Sequence, residues 1–328
     1  MNSEPFVSII TPVYNGERYL KECIDSVLVQ SYSNWEYIIL NNCSTDGTLR
    51  IAEQYAAQDD RIRVYSNDGL LDIIANHNKA FRMISPASKY CKVVSADDWI
   101  FPNCLSKLVS LAEAHPSVGI VGSYQLSGGG NKWYVRTDGL PYHSTVVSGG
   151  DICRAHLLTE LSVFGDPTSN LYRCDLIRAS DAFYPNSTAE ADVSACFKHL
   201  RFADFGFVHQ VLSYERLHEV RISTVSQGLN AYLSSKLGDL LEYGPFYLTQ
   251  SEIEQRVKER LDHYYHYLAV SAVRLRDKRF WAYHKKRLKE LGYPLNAGKL
   301  GKAICAKLLD LAFNPKRTLE AVFRAATC

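Results

Sequence analysis

The sequence predicts an α/β fold with a mostly parallel, doubly wound central sheet flanked by helices. Over the first 125 residues, short β-branched segments alternate with segments whose apolar residues recur at helical spacing. That alternation is typical of consecutive βαβ units. The chain is 328 residues long, which is enough to bury a large core.

Strands and helices alternate regularly in the first part of the chain. Phe6 to Thr11 is predicted to be a buried strand that stops at Pro12, and an amphipathic helix follows at 19–28. Ser44 or Thr45 is predicted to cap the second helix. The further elements predicted here are strands at 35–40, 62–65 and 90–95 and a helix at 70–83.

The pattern becomes looser in the second part. We expect helices at 103–114, at 151–161 and after Asn186, and strands at 118–124 and 205–214. The glycine-rich stretch from Ser127 to Gly150 is predicted to be loop. From about residue 240 the spacing of apolar residues predicts helices.

The charge distribution and the cysteine content indicate the compartment of the protein and exclude some kinds of site. Residues 251–328 hold 17 Lys and Arg against 8 Asp and Glu, although the whole chain has a net charge of only +2. Nine cysteines without a C-x-x-C spacing predict reduced thiols in a cytosolic protein, not a disulfide framework or a zinc site. We expect neither a signal peptide nor a membrane-spanning helix, and no nucleic-acid partner.

Two adjacent carboxylates, Asp97 and Asp98, follow the fourth predicted strand. Side by side at a strand end they repel each other and lose solvation unless a positive group shares the site. A divalent cation with oxygen ligands would meet that need. An exposed turn leading to Pro102 is the alternative.

Five motifs occur in an order and spacing that resemble one family. They are Ile10–Gly16 (ITPVYNG), Leu40–Thr48 (LNNCSTDGT), Ser95–Asp98 (SADD), Glu190–Asp192 (EAD) and Arg216–His218 (RLH). Across about residues 5–225 the chain resembles the inverting, nucleotide-sugar-dependent glycosyltransferases of family 2, which have the GT-A fold. The resemblance implies a nucleotide-sugar-binding half at 1–125, an acceptor-binding half at 126–240 and a basic helical region at 241–328.

The resemblance also implies a nucleotide site. The residues expected there are Thr11, Pro12, Tyr14, Asn41, Asn42, Asn76 and Asp97. The two adjacent asparagines stand where the family commonly has aspartates, but an amide both donates and accepts hydrogen bonds, so base pairing is retained in principle. Asp46 is expected to take part in starting the second helix.

The same motifs also indicate which residues would bind the metal and the diphosphate. Asp98 is expected to bind Mn²⁺ or Mg²⁺ directly, and His218 to reach the metal, whereas Ser95 replaces an acid that the family often has. Arg216 is expected to lie in a loop that closes over the diphosphate, where it would exclude water.

An inverting transfer needs one base for the acceptor hydroxyl, and Asp192 is the predicted base. Glu190 matches a capping box that begins at Ser187, so it is predicted to be a helix cap or an acceptor ligand. Asp166 is a further predicted acceptor ligand.

The sequence thus predicts a metal-dependent inverting glycosyltransferase that transfers a sugar, most plausibly from a UDP-sugar, to a hydroxyl of a glycan or lipid-linked glycan in envelope or surface polysaccharide synthesis. Two alternatives stay open: an inactive nucleotide-sugar-binding scaffold, and a sugar transferase acting on polyprenyl phosphate. The basic C-terminal segments 302–313 and 316–323, together with aromatics that look exposed in the tail, predict peripheral contact with the inner face of the cytoplasmic membrane. These aromatics include Tyr264, Tyr265, Phe280, Phe313 and Phe323. For residues 240–295 the preferred alternative is an ordinary helical subdomain that packs on the catalytic sheet.

Overall fold

The chain divides into two compact units, Met1–Arg221 and Ile222–Cys328. A computed structural model describes residues 4–129, 132–159, 161–185, 189–217, 229–274 and 276–314. The finer division into parts at 1–125, 126–240 and 241–328 stays a prediction.

One mixed sheet organises the first unit. Its strands are β1 Val7–Val13, β2 Trp35–Asn41, β3 Ile62–Ser66, β4 Tyr90–Val93, β5 Trp99–Ile100, β6 Val118–Gly129, β7 Lys132–Arg136, β8 Val146–Val147, β9 Leu171–Arg173 and β10 Asp204–Arg216. The sheet order is β3-β2-β1-β4-β9-β6-β10-β5, with β7 on β6 and β8 on β10. The four strands at the β3 end are parallel to one another, and β9 is antiparallel to both of its neighbours. The prediction of an α/β fold is confirmed.

Strands and helices alternate from β1 to β4, and four further helices lie in the rest of the described part of the unit. The helices are α1 Leu20–Leu28, α2 Thr48–Ala56, α3 Ile73–Phe81, α4 Cys104–Ala114, α5 Gly149–Leu158, α6 Cys174–Arg178 and α7 Ala191–His199, with a short 3₁₀ turn at Pro167–Ser169. Each buries an apolar face, as in α1, where Leu20, Cys23, Ile24 and Val27 are buried. Every residue of β1 and β2 is buried, so the core lies on both faces of the central parallel strands.

The first strand runs through Pro12 to Val13, so the predicted end at Pro12 is wrong. A proline has no N–H to give to a ladder. The pairing of β1 with β4 ends at Ile10 opposite Val93, whereas its pairing with β2 continues to Val13 opposite Asn41. Pro12 therefore lies where only one side of β1 carries a ladder.

The predicted cap of the second helix is also wrong. Helix α2 begins at Thr48 after Gly47, without a side-chain cap. The Ser44 hydroxyl instead accepts from the Asn15 N–H at 3.0 Å, and the Thr45 N–H donates to Asn15 Oδ1 at 2.8 Å. These contacts join the loops after β1 and β2, and Asp46 accepts from the Thr48 N–H at 3.1 Å, which confirms its place at the helix start.

The predicted loop at 127–150 is wrong in its first part, because β6 continues to Gly129 and β7 covers Lys132–Arg136. Gly128 pairs with Arg216 of β10 on one side and with Trp133 of β7 on the other. A Cβ on Gly128 would lie 2.6 Å from the Trp133 ring. The strand therefore requires residues without side chains here, and such residues leave no apolar pattern in the sequence.

Four helices make up the described part of the second unit: α8 Tyr232–Tyr247, α9 Gln250–Val273, α10 Lys278–Glu290 and α11 Ala297–Phe313. The helical region begins before residue 240, because α8 starts at Tyr232. Pro245 lies inside this helix and obscures its pattern in the sequence. Tyr264, Tyr265 and Phe280 are buried, so these rings are not exposed as they look in the sequence. Their burial agrees with the preferred alternative of a packed helical subdomain for residues 240–295.

Helix α11 is the exception in this unit, since none of its residues is buried. It exposes Leu308, Leu309 and Phe313, the last at 79%. The predicted segment 316–323, with Phe323, lies outside the described residues. None of the described helices is both long and apolar enough to cross a bilayer.

Free thiols are found as predicted among the described cysteines. Cys23, Cys91, Cys104, Cys153, Cys174 and Cys196 are buried, and Cys305 is exposed. Burial raises the pKa of Cys23 to about 12, so this thiol stays protonated and unreactive at neutral pH.

Candidate active site

The acid pair lies at the carboxyl end of β4, in the short link to β5. Asp98 is only 1% exposed. Its Oδ2 accepts from the Thr168 hydroxyl at 3.0 Å, and its Oδ1 accepts from the Arg216 N–H at 3.0 Å. This burial excludes an exposed turn for Asp98.

Arg216, the last residue of β10, reaches the same place. Its Nε donates to the Asp97 carbonyl at 3.1 Å, and its guanidinium forms an ion pair with Glu22. The guanidinium also lies over the Tyr19 ring, 4.3 Å from the centroid, where a cation–π contact is favourable. A diphosphate bound to Arg216 would therefore compete with Glu22.

A short turn connects the acid pair to the other predicted acids. Asp166 caps the 3₁₀ turn by accepting from the Ser169 N–H at 3.1 Å, and it also accepts from Gln125 Nε2 at 2.9 Å. Within the same turn, the Thr168 hydroxyl accepts from the Ser95 N–H at 3.1 Å. Ser95, where the family often has an acid, is thus bound to the turn that carries Asp166.

The ammonium of Lys92 lies beneath this turn. The Lys92 side chain is 0% exposed, and its Nζ donates to the carbonyls of Thr168 and Asn170. Lys92, Thr168 and Gln125 were not predicted from the sequence as site residues. For Lys92, the presence of a lysine inside an apolar strand is a local signal that could have identified it.

Asp192 occupies the first turn of α7. Burial raises the pKa of its carboxyl to about 6, and the negative charge of Asp166 adds to this rise, whereas Arg136 opposes it. Arg136 Nη1 lies 2.7 and 2.8 Å from the two carboxylate oxygens of Glu215, which also accepts from the Ser127 hydroxyl at 2.6 Å. Although burial lowers the pKa of Arg136, the charge of Glu215 raises it well above its usual value.

Glu190 occupies the N-cap position of α7, and its side chain makes no capping bond. A capping box needs the glutamate at the third helical position, which Glu190 does not occupy in α7. The other member of the predicted box, Ser187, lies outside the described residues. The Glu190 carbonyl accepts from the Ser194 N–H at 2.9 Å.

At the first strand, the predicted nucleotide-binding residues differ in how exposed their side chains are. Thr11 is fully buried, and its hydroxyl lies 2.7 Å from the Val94 carbonyl and 2.8 Å from the Tyr37 hydroxyl. Pro12 continues the strand, while Tyr14 beyond it is 47% exposed. Of these three, Tyr14 alone presents a large accessible side chain.

Buried asparagines form a network beside this strand. Asn42 Oδ1 accepts from Asn67 Nδ2 at 2.8 Å, and the same Nδ2 donates to Asn76 Oδ1 at 2.8 Å. Asn42 also donates to the Leu71 carbonyl at 2.8 Å, and Asn41 Nδ2 donates to the Ser66 hydroxyl at 3.1 Å. Asn42 and Asn76 are thus joined through Asn67, which was not predicted.

The donor set suits a hard divalent cation. Asp98 and Asp97 supply carboxylate oxygens at one strand end, and oxygen ligands are those that Mg²⁺ and Mn²⁺ prefer. Among the described residues there is no cluster of three or more His, Cys, Asp or Glu side chains able to enclose a metal. A cation here would take most of its ligands from phosphates and water. His218 lies outside the described residues.

The mixed sheet and the acid pair at a strand end are those of a GT-A type glycosyltransferase. The family model described as glycosyl transferase family 2 matches residues 8–179, which is more than half of the chain. The protein therefore belongs to glycosyl transferase family 2.

Individual relatives agree with this assignment. The chain is 43% identical over 127 residues to a Bacillus subtilis protein named as glycosyltransferase EpsE, a match that covers 38% of this chain and 45% of EpsE. It is 39% identical over 97 residues to TuaG of the same organism, named as a teichuronic acid biosynthesis glycosyltransferase, covering 30% of this chain and 38% of TuaG. The matched regions span less than half the length of both relatives.

A solved structure shares the fold. TarS 1–349 from S. aureus in complex with UDP-GlcNAc has a TM-score of 0.59 at 18% identity, over 80% of this chain and 72% of TarS.

Proposed function

We propose that this protein is a metal-dependent inverting glycosyltransferase that transfers a sugar from a UDP-linked donor to a hydroxyl of a glycan or lipid-linked glycan. Asp98 is the proposed metal ligand and Asp192 the proposed base. The proposed setting is the synthesis of an envelope or surface polysaccharide, a process to which the name of TuaG refers.

One observation carries the proposal: a single turn contacts Asp98 and carries a carboxylate whose charge acts on Asp192. Asp98 is bound to Thr168 at 3.0 Å, Asp166 caps the same turn, and the charge of Asp166 acts on Asp192. A donor held at Asp98 would thus place its sugar toward the carboxylates that could receive an acceptor.

The properties of Asp192 suit a general base. Its carboxyl has a pKa raised to about 6 by burial, so it is ionised at neutral pH and is more basic than an ordinary aspartate. A base with a pKa near the working pH transfers protons efficiently. Asp192 would take the proton of the acceptor hydroxyl while Asp166 and Gln125 bind neighbouring hydroxyls.

A Mn²⁺ or Mg²⁺ ion held by Asp98 would neutralise charge on the departing diphosphate. Arg216 would contribute a second positive charge at the same end of the donor, and Tyr14 a ring for the nucleotide. Asn41, Asn42, Asn76 and Asp97 are proposed to complete the nucleotide pocket.

The test measures donor turnover and nucleotide binding separately. Purified protein is incubated with UDP-sugars and Mn²⁺, and release of UDP and thermal stabilisation by UDP are recorded, since a ligand stabilises by RT ln(1+[L]/Kd). Asp98→Ala should abolish both turnover and Mn²⁺-dependent stabilisation. Asp192→Ala should abolish transfer and keep stabilisation by UDP. Asp175→Ala, an exposed surface carboxylate, serves as the control and should change neither.

Two other functions give different results in this test. An inactive scaffold would bind UDP but show no turnover in the wild type. A transferase acting on polyprenyl phosphate needs no base, because its acceptor is already ionised, so Asp192→Asn would keep full activity. Loss of activity in Asp192→Asn therefore favours transfer to a hydroxyl.

The proposed location is the inner face of the cytoplasmic membrane. The free thiols of the described cysteines suit a reducing compartment. Helix α11 exposes Leu308, Leu309 and Phe313 in a region rich in lysine. Apolar side chains flanked by basic ones bind anionic lipid surfaces, where a lipid-linked acceptor would be found.

A further inference from the structure

We propose that Lys92 is a positioning residue of the active site, and that its side chain clamps the turn that carries Thr168 and Asp166. The inference rests on the proposed function, since it assigns a role within that same site. Its structural part can be tested without any activity.

The clamp consists of two hydrogen bonds to consecutive parts of one segment. Lys92 Nζ donates to the Thr168 carbonyl and, at 3.0 Å, to the Asn170 carbonyl. These carbonyls lie on either side of Ser169, so one side-chain nitrogen fixes the exit from the 3₁₀ turn. Lys92 itself cannot shift easily, because its strand is paired on one side with β1 at Ile9 and on the other with β9 at Leu171.

The clamped turn holds two groups of the site in place. The Thr168 hydroxyl lies 3.0 Å from Asp98 Oδ2, and Asp166 accepts from the Ser169 N–H at 3.1 Å. The proposed metal ligand and the proposed acceptor ligand are thus both hydrogen-bonded to the segment that Lys92 fixes. If the turn moves, Asp98 loses the Thr168 hydroxyl and Asp166 is displaced with the turn.

Stability alone does not account for a lysine at this position. A fully buried amino group must give up its hydration, which is costly, whereas an apolar side chain would fill the same place in the strand without that cost. Burial does lower the pKa of Lys92, although Cys104, Asp166 and Asp98 oppose this effect. A costly group whose hydrogen bonds go to the segment that holds Thr168 is explained by placement of the site.

The first test is hydrogen–deuterium exchange of the full chain without ligand, comparing wild type with Lys92→Met and Lys92→Arg. Peptides covering residues 164–171 should exchange at least tenfold faster in Lys92→Met, while peptides of β2 stay unchanged. Lys92→Arg, which keeps donors at this position, should restore part of the protection. Cys91→Ala, a substitution at the neighbouring buried position of the same strand, is the control for a general loss of packing and should leave 164–171 protected.

The second test is kinetic. Lys92→Met should lower the kcat of donor turnover at least tenfold with less than a twofold change in the KM for the donor, because placement is lost and donor contacts remain. If Lys92→Met does not fold, Thr168→Val is used instead. This change removes the hydroxyl that donates to Asp98 and should lower kcat in the same way. Thr168→Ser keeps a hydroxyl and should not lower it. Unchanged exchange at 164–171, or a kcat within twofold of wild type in Lys92→Met or Thr168→Val, overturns the proposal. Absence of turnover in the wild type would instead contradict the proposed function. The exchange of residues 164–171 would then be the test of whether Lys92 fixes the turn.

Discussion

Replacing Asp192 by asparagine should make the protein more stable at neutral pH and inactive at the same time. The pKa of this carboxyl rises from 3.8 to about 6 on folding. At about 1.36 kcal/mol per pKa unit, ionising Asp192 at pH 8 costs the folded state up to about 3 kcal/mol. The side chain is partly exposed, so solvent screening reduces the effect, and we expect about 1–3 kcal/mol.

The sign follows from the direction of the shift. Because the folded pKa lies above the unfolded one, the stability that protonated Asp192 contributes is fully present below pH 3.8 and is lost as the pH rises through about 6. Asparagine has no charge to lose. The difference in unfolding free energy between Asp192→Asn and wild type should therefore grow between pH 4 and pH 8.

Urea unfolding at a series of pH values measures this difference, and UDP release measures activity. Activity should fall by about 10²–10⁴, the usual contribution of a general base. Asp175→Asn is a control of opposite sign: burial raises the pKa of Asp175, but its hydrogen bonds with Arg173 lower it overall. A difference for Asp192→Asn that stays flat with pH, or that falls as for Asp175→Asn, would refute the reasoning.

Three further predictions concern packing, pH and the membrane. Gly149→Ala should destabilise by about 1–3 kcal/mol in urea unfolding, because its Cβ would lie 2.0 Å from a backbone carbonyl, whereas Gly150→Ala, with nothing nearer than 4.0 Å, should be neutral. Burial lowers the pKa of His284 to about 4, so its contribution to stability is present above pH 6.5 and is lost as the pH falls toward 4; the loss of up to about 3 kcal/mol should be absent in His284→Phe. A double replacement of Leu308 and Leu309 by glutamate, like deletion of residues 298–328, should abolish co-sedimentation with anionic vesicles, and binding equal to that of wild type would contradict membrane contact through α11.

Local pattern in the sequence predicts the elements of this fold well. The apolar face of α1 and the β-branched runs of β1 and β2 record which side chains are buried, because period 3.6 and continuous apolar runs follow directly from helix and buried-strand geometry. The predicted element bounds are wrong where a neighbouring strand or side chain determines the structure. Pro12 stays in β1 because the ladder to β4 has already ended, and Gly128 stays in β6 because Trp133 covers it.

The sequence by itself determined the α/β class and the acid pair after β4, and Asp192 stays the predicted base. Only the tertiary structure brought Thr168 to Asp98, Lys92 beneath Thr168 and Asn67 between Asn42 and Asn76. The bond between Thr168 and Asp98 joins residues 70 positions apart, and the bonds of Lys92 span 76 and 78. Periodicity reports burial within one element. It carries no information about which polar groups of distant elements meet, and that depends on the order and register of the strands in the folded sheet.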